Sequence, residues 1–142
     1  MQLDWPQVNR IAKEYVGQFG VADRLQTLDG DFHKVDFGTA QYDFGIYGHI
    51  AHQETPADNR EIFKRFRRAL KPGGALLVND FVLEDDRSGN PFAMLFAAQM
   101  LLVTPGGSTW RRSDYREWLT QAGFSSVEFL PTPSPSTLVV AR

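Results

Sequence analysis

The feature that most limits the fold is an alternation of short apolar stretches with amphipathic helical ones, each boundary marked by proline, glycine or a capping residue. Pro6 suits the first turn of a helix, with Asp4 or Trp5 capping it. Val8, Ile11, Ala12, Tyr15, Val16 and Phe19 recur at helical spacing, and Gly20 stands where a left-handed cap would stop them. Residues 24–28 read as a short strand closed by Asp29-Gly30-Asp31, and residues 42–47 as a second one. Thr55-Pro56-Ala57-Asp58 then supplies a capping hydroxyl, a proline and an early carboxylate, all helix-start signals. Ile62, Phe63, Phe66 and Leu70 form its buried stripe, while Arg60, Lys64, Arg65, Arg67 and Arg68 lie mostly off it, as a solvated face.

Lys71-Pro72-Gly73-Gly74 predicts a tight turn, followed by the most strand-like segment, residues 75–83. An acidic loop leads into residues 92–103, a helix apolar nearly all round, which must be buried or covered by a partner. Pro105-Gly106-Gly107 breaks it, and Ser113 is placed to cap a further helix carrying Tyr115, Trp118, Leu119 and Ala122 inward, with Gly123 as its stop. Residues 125–130 and 136–141 flank a Pro-rich turn and predict an antiparallel hairpin. The expected class is therefore α/β, with a mainly parallel sheet covered on both faces and a C-terminal antiparallel hairpin.

Composition removes several functions. The 142 residues fit one domain, and fifteen basic against seventeen acidic residues give no pull toward nucleic acid or an anionic membrane. The absence of cysteine excludes disulfides, thiolate metal sites and a cysteine nucleophile. No apolar run approaches a membrane span and no secretory leader is visible, so the expected location is cytoplasmic.

The order of these marks resembles class I S-adenosylmethionine-dependent methyltransferases, and within them the O-methyltransferases that modify phenols, flavonoids and polyketides. An acid closes a strand at Asp4; Gly30-Asp31-Phe32 closes the next; Tyr42-Asp43 opens a third. His52, Leu70-Lys71-Pro72-Gly73-Gly74 and Ala122-Gly123-Phe124 follow in family order. The resemblance covers essentially the whole chain, with one departure. The family's glycine-rich turn under the methionine part of the cofactor would precede Asp4 by about a strand and a helix, and only Met1-Gln2-Leu3 stands there. The expectation is an incomplete Rossmann-like class I methyltransferase sheet: residues 1–142 as a single truncated catalytic domain.

On residues alone, Asp4 is equally a helix cap or a carboxylate that could grip both hydroxyls of a ribose; the resemblance implies ribose, with Trp5 beside the adenine of S-adenosyl-L-methionine. Asp31 is either a turn-forming Asp after Gly30 or, as the resemblance implies, an acceptor for the adenine amino group, with Phe32 against the ring. His52 could be a surface or capping histidine. The resemblance makes it the general base that takes the acceptor's hydroxyl proton, as an imidazole can at neutral pH. Here His52-Gln53-Glu54 replaces the usual His-Asp-Trp. Asp80 is either a solvated acid at a strand end or the group that fixes the His52 tautomer, as a triad's third member does. A second acid common in the loop before the last helix has no counterpart near Gly106-Gly107. His49 and His52 lack a carboxylate at ligand spacing, so no metal is expected. Phe92, Met94, Phe96, Met100 and Trp110 are the candidate lining of an apolar acceptor pocket, or simply core.

Two functions from different classes stay open. One is methyl transfer to a hydroxyl of a small aromatic or polyketide-like acceptor, carried out as part of a fuller enzyme. The other is a non-catalytic remnant serving as a dimerisation or interaction module. A dinucleotide-binding dehydrogenase half is disfavoured by the lack of any Gly-x-Gly-x-x-Gly. Loss of a central strand would expose a sheet edge, so self-association or marginal stability is expected.

Overall fold

In a computed structural model describing residues 1–142, the chain divides into two compact units, Met1–Asp36 and Phe37–Arg142. In the first, β1 (Gln2–Asp4) and β2 (Thr27–Asp29) pair in parallel, with Leu3 opposite Leu28 and Asp4 opposite Asp29. The connecting helix α1 (Pro6–Gln18) starts at its proline as expected, but neither predicted cap holds it. Trp5 occupies the capping position without a side-chain bond. Asp4 Oδ1 accepts only the adjacent Trp5 N–H, at 2.8 Å. Gly20 does adopt the left-handed conformation, with φ 66°. The second strand begins three residues later than the sequence suggests, because residues Ala22–Arg24 close into a 3₁₀ turn.

One polar side chain ties this unit together. The Asn9 amide nitrogen reaches the Asp4 and Leu28 carbonyl oxygens at 3.2 and 3.1 Å and Asp29 Oδ1 at 2.7 Å. Asn9 is also the unit's single buried residue.

The second unit contains β3 (Tyr42–Gly48), α2 (Pro56–Ala69), β4 (Leu70–Asp80), α3 (Pro91–Val103), α4 (Arg112–Gln121), β5 (Val127–Pro131) and β6 (Thr137–Ala141). Its four strands lie in the order β3-β4-β6-β5. The predicted hairpin is present, as β5 and β6 pair antiparallel. The expectation of a mainly parallel sheet needs correction: only β3–β4 is parallel, whereas β4–β6 and β5–β6 are antiparallel. The physical reason is the place of the hairpin's return strand. β6 inserts between β4 and β5 rather than outside them, so one hairpin creates two antiparallel ladders.

Pro72-Gly73-Gly74 is not a turn ahead of the strand. β4 begins at Leu70, and the pairing steps from Tyr42–Leu70 to Phe44–Ala75, so the extra residues bulge out within the strand. Gly73 takes φ 79° there. Helix α2 behaves as read: Thr55 Oγ1 accepts the Asp58 N–H, and Ile62 and Phe63 are buried. Tyr47 packs edge-on against Phe63 and Phe66, while Leu76, Val78, Val139, Tyr115 and Leu119 complete the core.

Helix α4 starts two residues earlier than a Ser113 cap would require, with Arg111 in the capping position. The Asp114 carboxylate accepts the Arg111 backbone N–H and two bonds from its guanidinium. The Ser113 N–H goes to Asp85 instead, at 2.7 Å.

Helix α3 is capped by Asn90, whose side-chain oxygen accepts the Ala93 N–H. Of its thirteen residues only Ala93 and Met100 are buried, and Leu101 and Leu102 are 78% and 85% exposed. The apolar composition therefore does not mark a core helix in this chain. No helix is long and apolar enough to cross a membrane.

Candidate active site

The chemistry of the second unit gathers where β3 and β4 end side by side. The chain leaves β3 through His49, a non-glycine residue with φ 55°, whose N–H donates to the Asn79 carbonyl at 2.8 Å. A short 3₁₀ turn, Ala51–Gln53, then swings His52 over the end of β4. Its ring nitrogen Nδ1 lies 2.7 Å from Asp80 Oδ1, and its backbone N–H donates to Asp80 Oδ2 at 3.1 Å. The Phe81 N–H adds a bond to Oδ1 at 2.8 Å. Asp80 is fully buried and His52 only 5% exposed.

Three donors converge on one buried carboxylate, and none of its oxygens is left to water. Asp80 is thus no solvated acid, and His52 is neither a surface residue nor a helix cap, that role being taken by Thr55. A carboxylate can only accept from Nδ1, so Nδ1 carries the ring proton. Nε2 is left as the basic nitrogen and has no protein partner.

The surroundings of the imidazole are aromatic. Phe96 meets it edge-on at 4.9 Å between centroids, and Phe81 lies roughly parallel at 5.9 Å. Phe92 packs on both Phe81 and Phe96. From behind, the Trp110 indole N–H donates to the Ala51 carbonyl at 2.8 Å and fixes the turn that carries His52. Gly107 passes so close to the His52 carbonyl that any side chain there would overlap it; Thr104 Oγ1 holds this loop by accepting the Gly107 N–H.

Of the residues picked out for the acceptor pocket, then, the structure gathers Phe92 and Phe96 around His52. Met94 and Trp110 line a separate cleft. Met100 is buried, and its carbonyl accepts the Thr104 hydroxyl. Phe81 was not among the predicted site residues, although its place directly after Asp80 marks it; Gly107 and Thr104 carry no signal short of the fold.

His49 stands beside this pair. Its ring is 5.0 Å from Phe81 and 6.3 Å from His52, and Nε2 lies 3.2 Å from the Asn79 amide nitrogen. The fold supplies the carboxylate that sequence spacing withheld: His49, His52 and Asp80 each bring a ligand-type atom within 4.8 Å of the others. Both Asp80 oxygens already accept N–H groups, two on Oδ1 and one on Oδ2, so a cation here would compete with those donors for the carboxylate.

In the first unit Asp4 and Asp31 both stand at the carboxyl end of the parallel β1–β2 pair, the edge where open α/β sheets bind ligands. Asp4 keeps its second oxygen without a partner, and Trp5 is 52% exposed. Asp31 Oδ1 accepts the His33 N–H at 3.0 Å and contacts its ring at 3.1 Å. This turn geometry, with the His33 N–H as its main cause, holds the Asp31 carboxyl below the usual carboxylate range. The Phe32 ring stacks on His33 at 4.2 Å.

Comparison with known proteins places this arrangement among relatives. The O-methyltransferase domain family matches residues 1–125. The tetracenomycin polyketide synthesis 8-O-methyl transferase of Streptomyces glaucescens is 30% identical over 140 residues, 99% of this chain and 41% of that protein. A candidate O-methyltransferase from Nostoc punctiforme superposes with a TM-score of 0.92 at 31% identity, covering 98% of this chain and 43% of that one. Human N-acetylserotonin methyltransferase, solved with S-adenosylmethionine, gives a TM-score of 0.83 at 27% identity over 99% of this chain and 39% of its own. The chain thus spans about 40% of the length of the curated relatives it matches.

Proposed function

Since the chain belongs to the O-methyltransferase family, we propose that it carries the general base and the ribose and adenine contacts for methyl transfer from S-adenosylmethionine to a hydroxyl of a small aromatic or polyketide-like molecule. The observation that carries this reading is the buried His52–Asp80 pair, 2.7 Å apart, with Nε2 free and three phenylalanines around it.

The cofactor supplies the methyl group as an electrophile. The residues of this chain supply the base, its orientation and an apolar surrounding. Nε2 of His52 accepts the proton of the acceptor hydroxyl as the oxygen attacks. The Nδ1–H bond to Asp80 prevents the ring from rotating and stabilises the imidazolium that forms, the carboxylate's part in a triad. Phe81, Phe92 and Phe96 exclude water, which favours a step in which sulfonium charge is dispersed. Their flat faces also suit an aromatic acceptor, the kind named in relatives such as the 3-hydroxy-5-methyl-1-naphthoate 3-O-methyltransferase of Streptomyces sahachiroi.

For the cofactor, Asp4 offers one unpartnered carboxylate oxygen and Trp5 an exposed indole at the carboxyl end of β1, groups that fit a ribose diol and an adenine. Asp31 follows the neighbouring strand with Oδ1 held in its turn and Oδ2 3.5 Å from the exposed Lys34 ammonium, which an exocyclic amine would have to displace or share, and Phe32 supplies a flat face. The deciding experiment is calorimetric titration of the chain with S-adenosylhomocysteine, beside Asp4→Ala. Binding that is lost in the variant supports the assignment. A folded chain that takes up no S-adenosylhomocysteine refutes it.

A further inference from the structure

A cleft of about 400 Å3 opens among α2, α3, α4 and the loop after β4, on a different flank of α3 from the phenylalanines that face His52. Helical geometry produces the separation. Phe92 and Phe96 are four residues apart and share one side, whereas Met94 and Ala97 project elsewhere and line the cleft. The indoles of Trp110 and Trp118 lie edge-on at 5.3 Å and, with Leu83, Met94 and Ala97, form an apolar wall, beside a polar one that includes Ser108, Thr109 and the Arg111–Asp114 pair.

The charges of the cleft are unevenly satisfied. Arg111 is bound by Asp114, and Arg60 pairs with Glu117 at 3.2 Å while its guanidinium covers Trp118. Every acid of the neighbouring loop is also engaged: Glu84 with Arg112, Asp85 with the Ser113 N–H and Arg116, Asp86 with the Ser88 N–H. Arg87 alone has no partner. It sits in the cleft lining at φ 61°, a left-handed backbone that an arginine seldom adopts. A cleft lined by two indoles and a thioether, with one uncompensated guanidinium, is complementary to a flat apolar body bearing a single anionic group.

We propose that this cleft is a second small-molecule site, separate from the methyl-transfer site, that takes an aromatic carboxylate: the ring between Trp110 and Met94, the carboxylate forked by Arg87. Its lining includes none of His52, Asp80, Phe81, Phe92 and Phe96, so the proposal does not rest on the function assigned above.

The test is calorimetric titration of the whole chain with 2-naphthoate and with its neutral analogue 2-naphthalenemethanol. Naphthoate is expected to bind one-to-one and the alcohol at least tenfold more weakly. Arg87→Gln should cost naphthoate at least tenfold while leaving the alcohol unchanged. Ala97→Phe, which fills the cleft without altering its charge, should abolish both. A His52→Asn chain shown by circular dichroism to be folded should bind naphthoate like the parent, which separates this site from the methyl-transfer one. Equal binding of the two compounds, full affinity in Arg87→Gln or Ala97→Phe, loss in the folded His52→Asn chain, or no naphthoate binding by the folded parent overturns the proposal.

Discussion

Replacing Asp80 with asparagine removes a charge and one acceptor from a site where three N–H groups converge. If the new amide keeps its oxygen at the Oδ1 position, it still accepts from the His52 ring and from the Phe81 N–H, but its NH2 group then confronts the His52 backbone N–H. If it turns over, the NH2 faces the Phe81 N–H and forces the imidazole to accept at Nδ1, moving the ring proton to Nε2. Either arrangement orphans a buried donor, at a cost of about 1–3 kcal/mol, and exchanges charge-assisted bonds for neutral ones, about 1 kcal/mol more.

The expected destabilisation is therefore about 3 kcal/mol, a large share of a domain's stability. With an m-value of about 1.5 kcal/mol/M in urea, the unfolding midpoint should fall by about 2 M. Urea titration followed by tryptophan fluorescence reads this directly. The His52→Asn partner and the double variant complete a cycle whose coupling should exceed about 1 kcal/mol. A midpoint within about 0.3 M of the parent, or additive single effects, would refute the picture of one interdependent buried pair. In the full catalytic context the turned-over amide also predicts a drop in kcat of about two orders of magnitude or more, because the base nitrogen would carry the proton.

Other perturbations follow from the same geometry. Gly107→Ala should push the Gly107 loop off the His52 carbonyl and lower the melting temperature by several degrees, the effect of about 1–3 kcal/mol of overpacking; an unchanged melting curve would mean that the loop yields freely. Asp114 is opposed by its own partial burial, yet the hydrogen bonds and charge of Arg111 prevail and hold its carboxyl below the usual range. A lowered folded-state value contributes stability above the unfolded carboxylate range, near pH 4, that is lost as pH falls through the lowered value. Asp114→Asn should accordingly flatten the acid limb of a stability-against-pH curve, and identical limbs would remove Asp114 from the account.

Much of the fold could be read from punctuation. The helix starts at Pro6 and at Thr55-Pro56 are local chemistry, in which proline geometry and a capping hydroxyl act within one turn, and the structure keeps both. The sheet order could not be read this way. Whether β6 lies inside or outside β5 depends on which ladder buries Val139 and Val140, and both choices have the same hairpin sequence. The Pro72-Gly73-Gly74 bulge was misread for a related reason: a proline and two glycines signal a break in the chain's direction, and pairing with β3 absorbs that break without ending the strand. At the site, His52 and Asp80 were visible as residues, but their 2.7 Å contact joins positions 28 apart and exists only once β3 and β4 lie in register. Met94 and Trp110 show the converse. Apolar character says that a side chain avoids water, not which neighbours it meets: both line the cleft rather than the surroundings of His52.

The first unit buries one side chain, and that side chain is an amide. With no apolar interior to melt, its cohesion rests on the three acceptors of Asn9 and a single ladder of three residue pairs between β1 and β2. Such a segment opens at small free-energy cost, so its backbone should exchange hydrogen and yield to trypsin at Arg10 or Lys13 while the strands around Val78 and Val139 stay closed. Opening of this kind sets a ceiling on affinity. If Asp4 and Asp31 hold a ligand as proposed, that ligand must first draw the segment into its closed form, so each tenfold excess of open over closed weakens apparent binding tenfold. Tightening Asn9's surroundings, with no change to any ligand contact, would raise that ceiling.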